Sequence, residues 1–205
     1  MPRTYKQNKE IKDQRKGQIL SKSVELFAKL GFEQVTMDDI AKATKCSRTL
    51  LYHYFRSKDD LLLAHKKICE DIFVSKLKEY MDVFEPGEEF LKASNDFFLK
   101  MIYEGNVDSC YYLYLFTNGH FALHEAEIKP KGGDKTLFKF LKKSFDVYAS
   151  TRPYINKKEL IDQIKYYLMY VGSLALAHIK FPKTFNKPVD SDTVFYSFFS
   201  LYKGV

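Results

Sequence analysis

The stretch that decides the fold is LFAKLGFEQVTMDDIAKATKCSRTLLYHYFRSKDDLL, residues 26–62. It holds two short helical patterns, one opening at Thr36 and the other at Ser47, with room for a tight turn between them. Both residues are favoured N-caps, and Asp39 stands three positions after Thr36, as in a capping box. Two short helices so spaced predict a helix-turn-helix over about residues 36–55, in which the first helix positions the second.

The second short helix mixes polar and apolar residues within CSRTLLYHYF, residues 46–55. Helical periodicity assigns Cys46, Leu51 and Phe55 to the interior and leaves the polar side chains between them outside. Leu50 is rotated by about 100° from Leu51. It therefore either faces outward, or is partly buried against the preceding helix.

Helical patterns recur along the chain, whereas alternating β-branched runs bounded by turns are nearly absent. We therefore predict an all-α fold. The predicted helices cover residues 12–30, 36–44, 47–55, 57–80, 87–104, 108–124, 134–150, 156–181 and 191–203.

The positive charge is concentrated near the N-terminus. The net charge is +7, and residues 1–60 contain 13 Lys and Arg against 8 Asp and Glu. A basic segment joined to a nearly neutral body indicates a polyanionic partner at one end, or simply a solvated basic surface.

The composition also bounds location and redox state. The three cysteines, Cys46, Cys69 and Cys110, are odd in number and widely spaced, which favours unpaired thiols in a reducing compartment. The N-terminus lacks the apolar stretch of a signal peptide, and the apolar uncharged run 166–179 is shorter than the roughly 18–20 residues that span a bilayer. We expect a cytoplasmic protein without a cofactor.

Residues 26–62 resemble the DNA-binding domain of the TetR family of bacterial transcriptional regulators. The resemblance covers residue 12 to about residue 65, beyond which only the all-helical plan carries over. Two positions depart from the pattern, because members usually have Gly where this chain has Lys45, and many have Gly or Ala where it has Thr49. The shared residues are Phe27, Gly31, Thr36, Ile40, Ala41, Ser47, Leu51, Tyr52, Phe55, Lys58 and Leu61.

The resemblance implies a particular division of the chain. A basic arm (1–11) precedes a three-helix DNA-binding domain (12–56), followed by a connecting helix (57–80) and a larger helical effector-binding and dimerisation domain (81–205). It also implies a homodimeric regulator, expected to be a repressor, which binds a pseudo-palindromic operator in double-stranded DNA. An unknown small-molecule effector would release it.

The recognition helix and its neighbours supply the candidate DNA contacts. Arg48 is suited to guanine O6 and N7, although a phosphate contact or a solvated side chain is the alternative. Tyr52 and Lys58 match the family's phosphate-binding positions, and packing of the Tyr52 ring is compatible with that contact or an alternative to it. If Leu50 faces outward, a thymine methyl is its natural partner. The full candidate set is Thr36, Met37, Ser47, Arg48, Thr49, Leu50, Tyr52, His53 and Lys58.

The aromatic clusters of the body supply candidates for an effector cavity and a dimer interface. Ordinary core or surface is the alternative for each effector candidate, and these candidates are Tyr103, Tyr111, Tyr114, Asn118, His120, Tyr166 and Tyr170. Small residues in VGSLALA (171–177) and the apolar segment VFYSFFSLY (194–202) favour close helix packing between two copies. The interface candidates are Gly172, Ser173, Ala175, Phe195, Phe198 and Phe199.

Two other classes of protein find little support in the sequence. A metal-dependent enzyme would need more than the pair His120 and His124, which has no third ligand at a clear spacing. A membrane-surface protein would carry its basic residues on an amphipathic helix, whereas here they lie within a helix-turn-helix pattern. We therefore expect neither an enzyme, nor a bound metal, nor a membrane partner.

Overall fold

Helices account for nearly all regular structure in the computed structural model, which describes residues 4–117, 135–151 and 157–199. No strand occurs in these ranges, so the predicted all-α fold is confirmed. The helices are α1 (Tyr5–Leu30), α2 (Met37–Ala43), α3 (Arg48–Tyr54), α4 (Lys58–Cys69), a π-helical segment (Glu70–Val74), α5 (Ser75–Val83), α6 (Glu88–Tyr103), α7 (Val107–Thr117), α8 (Lys135–Ser150), α9 (Lys157–Lys180) and α10 (Ser191–Phe199).

The first helix begins earlier than its apolar periodicity predicts. Thr4 caps α1, because its hydroxyl oxygen accepts the Gln7 backbone N–H at 3.3 Å while the Gln7 side chain accepts the Thr4 N–H at 2.9 Å. Residues 5–11, which the sequence analysis assigns to an arm, are thus the first turns of α1. This part of α1 is exposed and has no core to pack against, so apolar periodicity carries no signal there.

The chain divides into two compact units, Met1–Ile68 and Cys69–Val205. In the first unit, α1 packs against α2 and α2 packs against α3. Its fully buried apolar side chains are Ile19, Val24, Phe27, Ile40, Leu51 and Leu61. The core of the second unit is strongly aromatic, and its fully buried rings include Phe73, Phe90, Tyr148 and Phe195.

A histidine lies in the core of the first unit. The His65 side chain is fully buried, its Nε2 atom lies 2.8 Å from Ser23 Oγ, and its ring packs edge-on against Phe27 with centroids 5.7 Å apart. Burial lowers the pKa of His65 to about 3, because the charged imidazolium would lose its hydration. His65 is therefore neutral in the folded unit at neutral pH.

This burial predicts a loss of stability in acid. The unfolded chain binds a proton at His65 near pH 6.5, whereas the folded chain does so only near pH 3. The stabilisation is complete above pH 6.5 and declines as pH falls towards 3. Between pH 7.5 and pH 5, we expect His65 to account for a loss of about 2 kcal/mol in the free energy of unfolding.

Urea denaturation followed by circular dichroism at the two pH values measures this loss. His65→Gln keeps a polar side chain that does not titrate. Its free energy of unfolding should therefore fall between pH 7.5 and pH 5 by about 2 kcal/mol less than that of the native chain. The exposed His53 provides the control, and His53→Gln should behave like the native chain. Equal losses in the native chain and His65→Gln would show that His65 is not responsible.

Candidate nucleic-acid interface

Both short helices of the first unit begin at a capped residue, as their sequences predict. The Thr36 hydroxyl oxygen accepts the Asp39 N–H at 3.2 Å, and Asp39 Oδ2 accepts the Thr36 N–H at 3.0 Å and its hydroxyl at 2.6 Å. These hydrogen bonds to Thr36 lower the pKa of the Asp39 carboxyl. At α3, Ser47 Oγ accepts the Leu50 N–H at 3.1 Å. Local hydrogen bonds therefore fix where each helix starts.

The turn between α2 and α3 depends on a left-handed residue. Lys45 has φ of 50°, and within the described ranges no other non-glycine residue has a positive φ. The Arg15 guanidinium donates a hydrogen bond from Nη2 to the Lys45 carbonyl at 3.2 Å, and the Cys46 N–H bonds to the Ala41 carbonyl at 3.0 Å. Lys45 thus adopts the conformation for which glycine is the favoured residue, and α1 supports it there.

The rotation of α3 is set by two buried side chains. Leu51 is fully buried and Phe55 is 2% exposed, while Cys46 is half-buried. The four residues from Ser47 to Leu50 are exposed, as are Tyr52 and His53. Leu50, whose direction the sequence leaves open, has 37% of its surface exposed. The first turn of α3 therefore presents a mixed polar and apolar surface to solvent.

Three further candidates have partners within the same unit. The Lys58 ammonium donates to the Phe32 carbonyl at 2.8 Å and the Glu33 carbonyl at 3.3 Å. The Arg48 guanidinium lies against the Asp38 carboxylate, with Nε 2.5 Å from Oδ1. Thr36 is exposed and occupied in its capping box, and Met37 is half-buried.

A cavity lies within the second unit, among α5 to α10, and has a volume of about 180 Å³. Most of its wall is aromatic or aliphatic. The lining residues are Leu77, Leu91, Ser94, Asn95, Phe98, Phe116, Phe145, Tyr167, Leu168 and Phe199.

The polar groups in this wall bond to the protein itself. The Ser94 hydroxyl donates to the Phe90 carbonyl at 2.8 Å, and the Tyr167 hydroxyl donates to Asn95 Oδ1 at 2.8 Å. Asn95 Nδ2 in turn donates to the carbonyl and hydroxyl oxygens of Ser191, at 3.0 and 2.6 Å. Burial raises the pKa of Tyr167 far above its usual range. The wall therefore needs no polar partner from an occupant.

The predicted effector tyrosines lie elsewhere. Tyr111 is 2% exposed and packs in the core, whereas Tyr166 is 64% exposed. Tyr103, Tyr114 and Tyr170 are half-buried, and none of these five tyrosines is among the residues that line the cavity. Asn118 and His120 lie outside the described residues. One face of α6 carries four of the lining residues, Leu91, Ser94, Asn95 and Phe98. The sequence signal for the cavity was therefore a Ser-Asn pair within an apolar helical stripe.

Most of the predicted interface residues pack inside the second unit. Ala175 and Phe195 are fully buried, Phe199 is 4% exposed, and Gly172 is also buried. The ring of Phe198 packs against Tyr170, with centroids 5.1 Å apart. Ser173, by contrast, is exposed. Helix α10 is rich in apolar residues because Phe195 and Phe199 contribute to the core of their own chain.

The described ranges also bear on metal, disulfide and membrane sites. In those ranges, no group of three or more His, Cys, Asp or Glu side chains is placed to hold a metal ion; His120 and His124 lie outside them. None of the three cysteines forms a disulfide within the described ranges. No helix among the described residues has both the length and the apolarity needed to cross a membrane.

Two short capped helices, a tight turn and an outward-facing second helix define a helix-turn-helix protein. Residues 19–65 match the family model described as "Bacterial regulatory proteins, tetR family". This domain, residues 19–65, is therefore of the TetR family of bacterial transcriptional regulators, as the sequence predicts.

Individual relatives agree with this assignment. The HTH-type transcriptional activator FasR of Mycolicibacterium smegmatis is 30% identical over 113 residues, which cover 55% of this chain and 50% of FasR. The HTH-type transcriptional regulator RutR of Escherichia coli is 31% identical over 83 residues, which cover 40% of this chain and 39% of RutR. The chain thus matches half or less of the length of these curated relatives.

Two solved structures share the fold over nearly the whole chain. The fatty acid degradation regulator FadR from Bacillus halodurans has a TM-score of 0.53 at 14% identity, covering 92% of this chain and 96% of that one. A TetR-like transcriptional regulator from Rhodococcus sp. RHA1 also has a TM-score of 0.53, at 18% identity, covering 91% of this chain and 92% of that one.

The opposite exposures of Leu50 and Leu51 predict opposite effects of the same truncation. Leu51→Ala removes fully buried methyl groups and should lower the free energy of unfolding by about 2–5 kcal/mol. Leu50→Ala removes a partly solvated side chain and should cost no more than about 1 kcal/mol. Urea denaturation of the two variants measures both values, and similar losses would show that the assigned rotation of α3 is wrong.

Proposed function

We propose that this protein is a transcriptional regulator that binds a pseudo-palindromic operator as a homodimer and is released by a small apolar effector. The observation that carries the proposal is the outward-facing first turn of α3, where Ser47, Arg48, Thr49 and Leu50 are all exposed. In a helix-turn-helix, the N-terminal residues of the second helix contact base edges in the major groove.

The residues on this face fit distinct parts of a duplex. Arg48 suits the O6 and N7 acceptors of guanine, and Leu50 suits a thymine methyl. Thr49, Tyr52 and His53 provide further hydrogen-bonding groups beside them. Thr36, Met37, Ser47 and Lys58 stand at the starts of their helices, where contacts to the phosphate backbone set the register of the protein on DNA.

A dimer accounts for useful specificity, because two recognition helices read two half-sites one helical turn apart. The exposed stripe of α9 is the best surface for this purpose. Tyr166 is 64% exposed and Met169 is 52% exposed, and Ser173, also exposed, continues the stripe at helical spacing. This surface takes the place of the buried residues Gly172, Ala175, Phe195 and Phe199 in our proposal.

The cavity of the second unit supports an apolar, uncharged effector. Its volume of about 180 Å³ is close to the roughly 150 Å³ of an engineered Leu/Ile/Phe cavity that binds benzene. Its polar wall groups already have partners, so a charged or strongly polar ligand would lose hydration without gaining hydrogen bonds. Such a ligand would bind better to a state of the protein that does not bind DNA, and would therefore shift the population towards that state. In this proposal the DNA-bound protein represses transcription and the ligand relieves the repression.

Fluorescence anisotropy with the DNA upstream of the protein's own gene tests operator binding. We expect micromolar or tighter affinity that falls at least roughly tenfold between 50 and 200 mM salt, because phosphate contacts release counterions. Arg48→Ala and Leu50→Ala should weaken binding without unfolding the protein.

Lys183→Ala is the matched control for the loss of a positive charge, since this exposed residue lies in the second unit. It should leave operator affinity unchanged. Met169→Glu places a charge on the exposed stripe of α9, and it should yield monomers in sedimentation and weaken operator binding. The proposal fails if the native chain binds no fragment of that locus at low salt.

A thermal-shift measurement with toluene, and with benzoate as its charged counterpart, tests the effector class. At about ten times its Kd, toluene should raise the Tm by about 3 °C, while benzoate should not. Toluene should also release the operator in the anisotropy assay.

Leu91→Phe adds volume to the wall of the cavity and should weaken toluene binding. Leu63→Phe is the same substitution at a residue that is 62% exposed in the first unit, and it should leave toluene binding intact. Equal stabilisation by toluene and benzoate, or equal losses in the two variants, would contradict an apolar effector in this cavity.

A further inference from the structure

We infer that Asp38 determines specificity by holding Arg48 for a guanine and by opposing its contact with phosphates. The inference rests on the proposed function, DNA binding through α3. Asp38 is the second residue of α2 and Arg48 is the first residue of α3. The pair therefore bridges the two helices of the motif, on the side where α3 is exposed.

The contact between the two side chains is close but lies at one edge of the guanidinium. Arg48 Nε is 2.5 Å from Asp38 Oδ1, and Oδ1, which is shielded from solvent, accepts no hydrogen bond of good geometry. The two groups are thus held by charge rather than by a directed hydrogen bond. The contact is made through Nε, and the two terminal nitrogens, Nη1 and Nη2, carry four further N–H donors.

Those two nitrogens form the end of the guanidinium that can donate to guanine O6 and N7 together. Holding Nε against a carboxylate restricts the rotamers of the side chain before DNA arrives, so less conformational freedom is lost on binding. The pair is also well exposed, with 68% of the Arg48 side chain and 40% of the Asp38 side chain accessible. Exposed pairs of this kind add little to folding stability, so removing one partner tests binding and not folding.

The carboxylate also acts on the backbone of DNA. A phosphate that approaches Arg48 meets the negative charge of Asp38 within the same ion pair, whereas the neutral edge of guanine does not. Asp38 therefore weakens binding wherever Arg48 would serve only as a phosphate contact. Specificity is the difference between the affinity for the operator and the affinity for other DNA. Asp38 increases that difference by lowering the affinity for other DNA.

The test compares the native chain with Asp38→Asn, which keeps the shape of the side chain and removes its charge. Fluorescence anisotropy measures the Kd for the operator and for a random duplex of equal length, over a series of salt concentrations. We expect Asp38→Asn to tighten binding to random DNA about fivefold and to steepen its salt dependence by about one unit in slope per protomer. Operator affinity should change less, so the ratio of the two affinities falls.

Two controls make the result specific to the pair. Asp59→Asn removes the same charge from the first turn of α4, at an exposed residue of the same unit, and it should leave the ratio unchanged. In an Arg48→Ala background, Asp38→Asn should no longer change the ratio. Replacing the operator guanines one at a time by 7-deazaguanine removes the N7 acceptor. At one position in each half-site, this replacement should weaken binding by the native chain and leave binding by Arg48→Ala unchanged.

The outcomes separate the inference from the function on which it rests. If Asp38→Asn changes both affinities equally, or matches Asp59→Asn, Asp38 has no role in specificity and the inference is overturned. If the native chain binds neither duplex at any salt concentration, the proposed function itself fails, and the inference fails with it. Circular dichroism of each variant should show the native melting curve, and a lowered Tm for Asp38→Asn would identify a structural role instead.

Discussion

The burial of Leu51 and Phe55 is the constraint on which the first unit depends. Leu51 is fully buried and Phe55 is 2% exposed, so α3 cannot rotate about its axis without withdrawing a large apolar side chain from the core. That fixed rotation exposes Arg48, Thr49 and Leu50 together. Because successive residues on a helix are separated by about 100°, a shift of one residue would expose Leu51 and turn Leu50 or Tyr52 towards the core in its place.

The local features of this unit are readable from sequence because they depend on neighbouring residues. Capping by Thr36 and Ser47 requires partners only three positions away, and the short turn at Lys45 follows from where the caps fall. The rotation of α3 is a different matter. Seven residues make fewer than two turns, so periodicity alone cannot decide between Leu50 and Leu51. Packing against α2 decides, and that contact is not visible in a single segment.

The second unit was harder to predict, because its chemistry depends on which aromatic residues satisfy one another. Tyrosine clusters suggest a cavity wall, yet Tyr111 is packed in the core and Tyr166 is solvated. The cavity lies instead beside the Asn95–Tyr167 hydrogen bond, which joins residues 72 positions apart. Likewise, the apolar residues of α10 suggest an interface between chains. In the structure, Phe195 is instead buried within its own chain, where its ring packs edge-on against Tyr148.

The cations of the first unit divide into two groups, and the division has a consequence for recognition. Lys58 already donates to a carbonyl oxygen of its own unit, so a phosphate contact exchanges one partner for another. Arg48 already lies against Asp38, whose negative charge opposes a contact with phosphate. Lys6, Lys9 and Lys12 on the first turns of α1 are exposed and can release counterions without such an exchange. Affinity is thus expected to come mainly from α1, whereas discrimination between sequences comes from α3. The two properties can then change independently, because they depend on different helices of one unit.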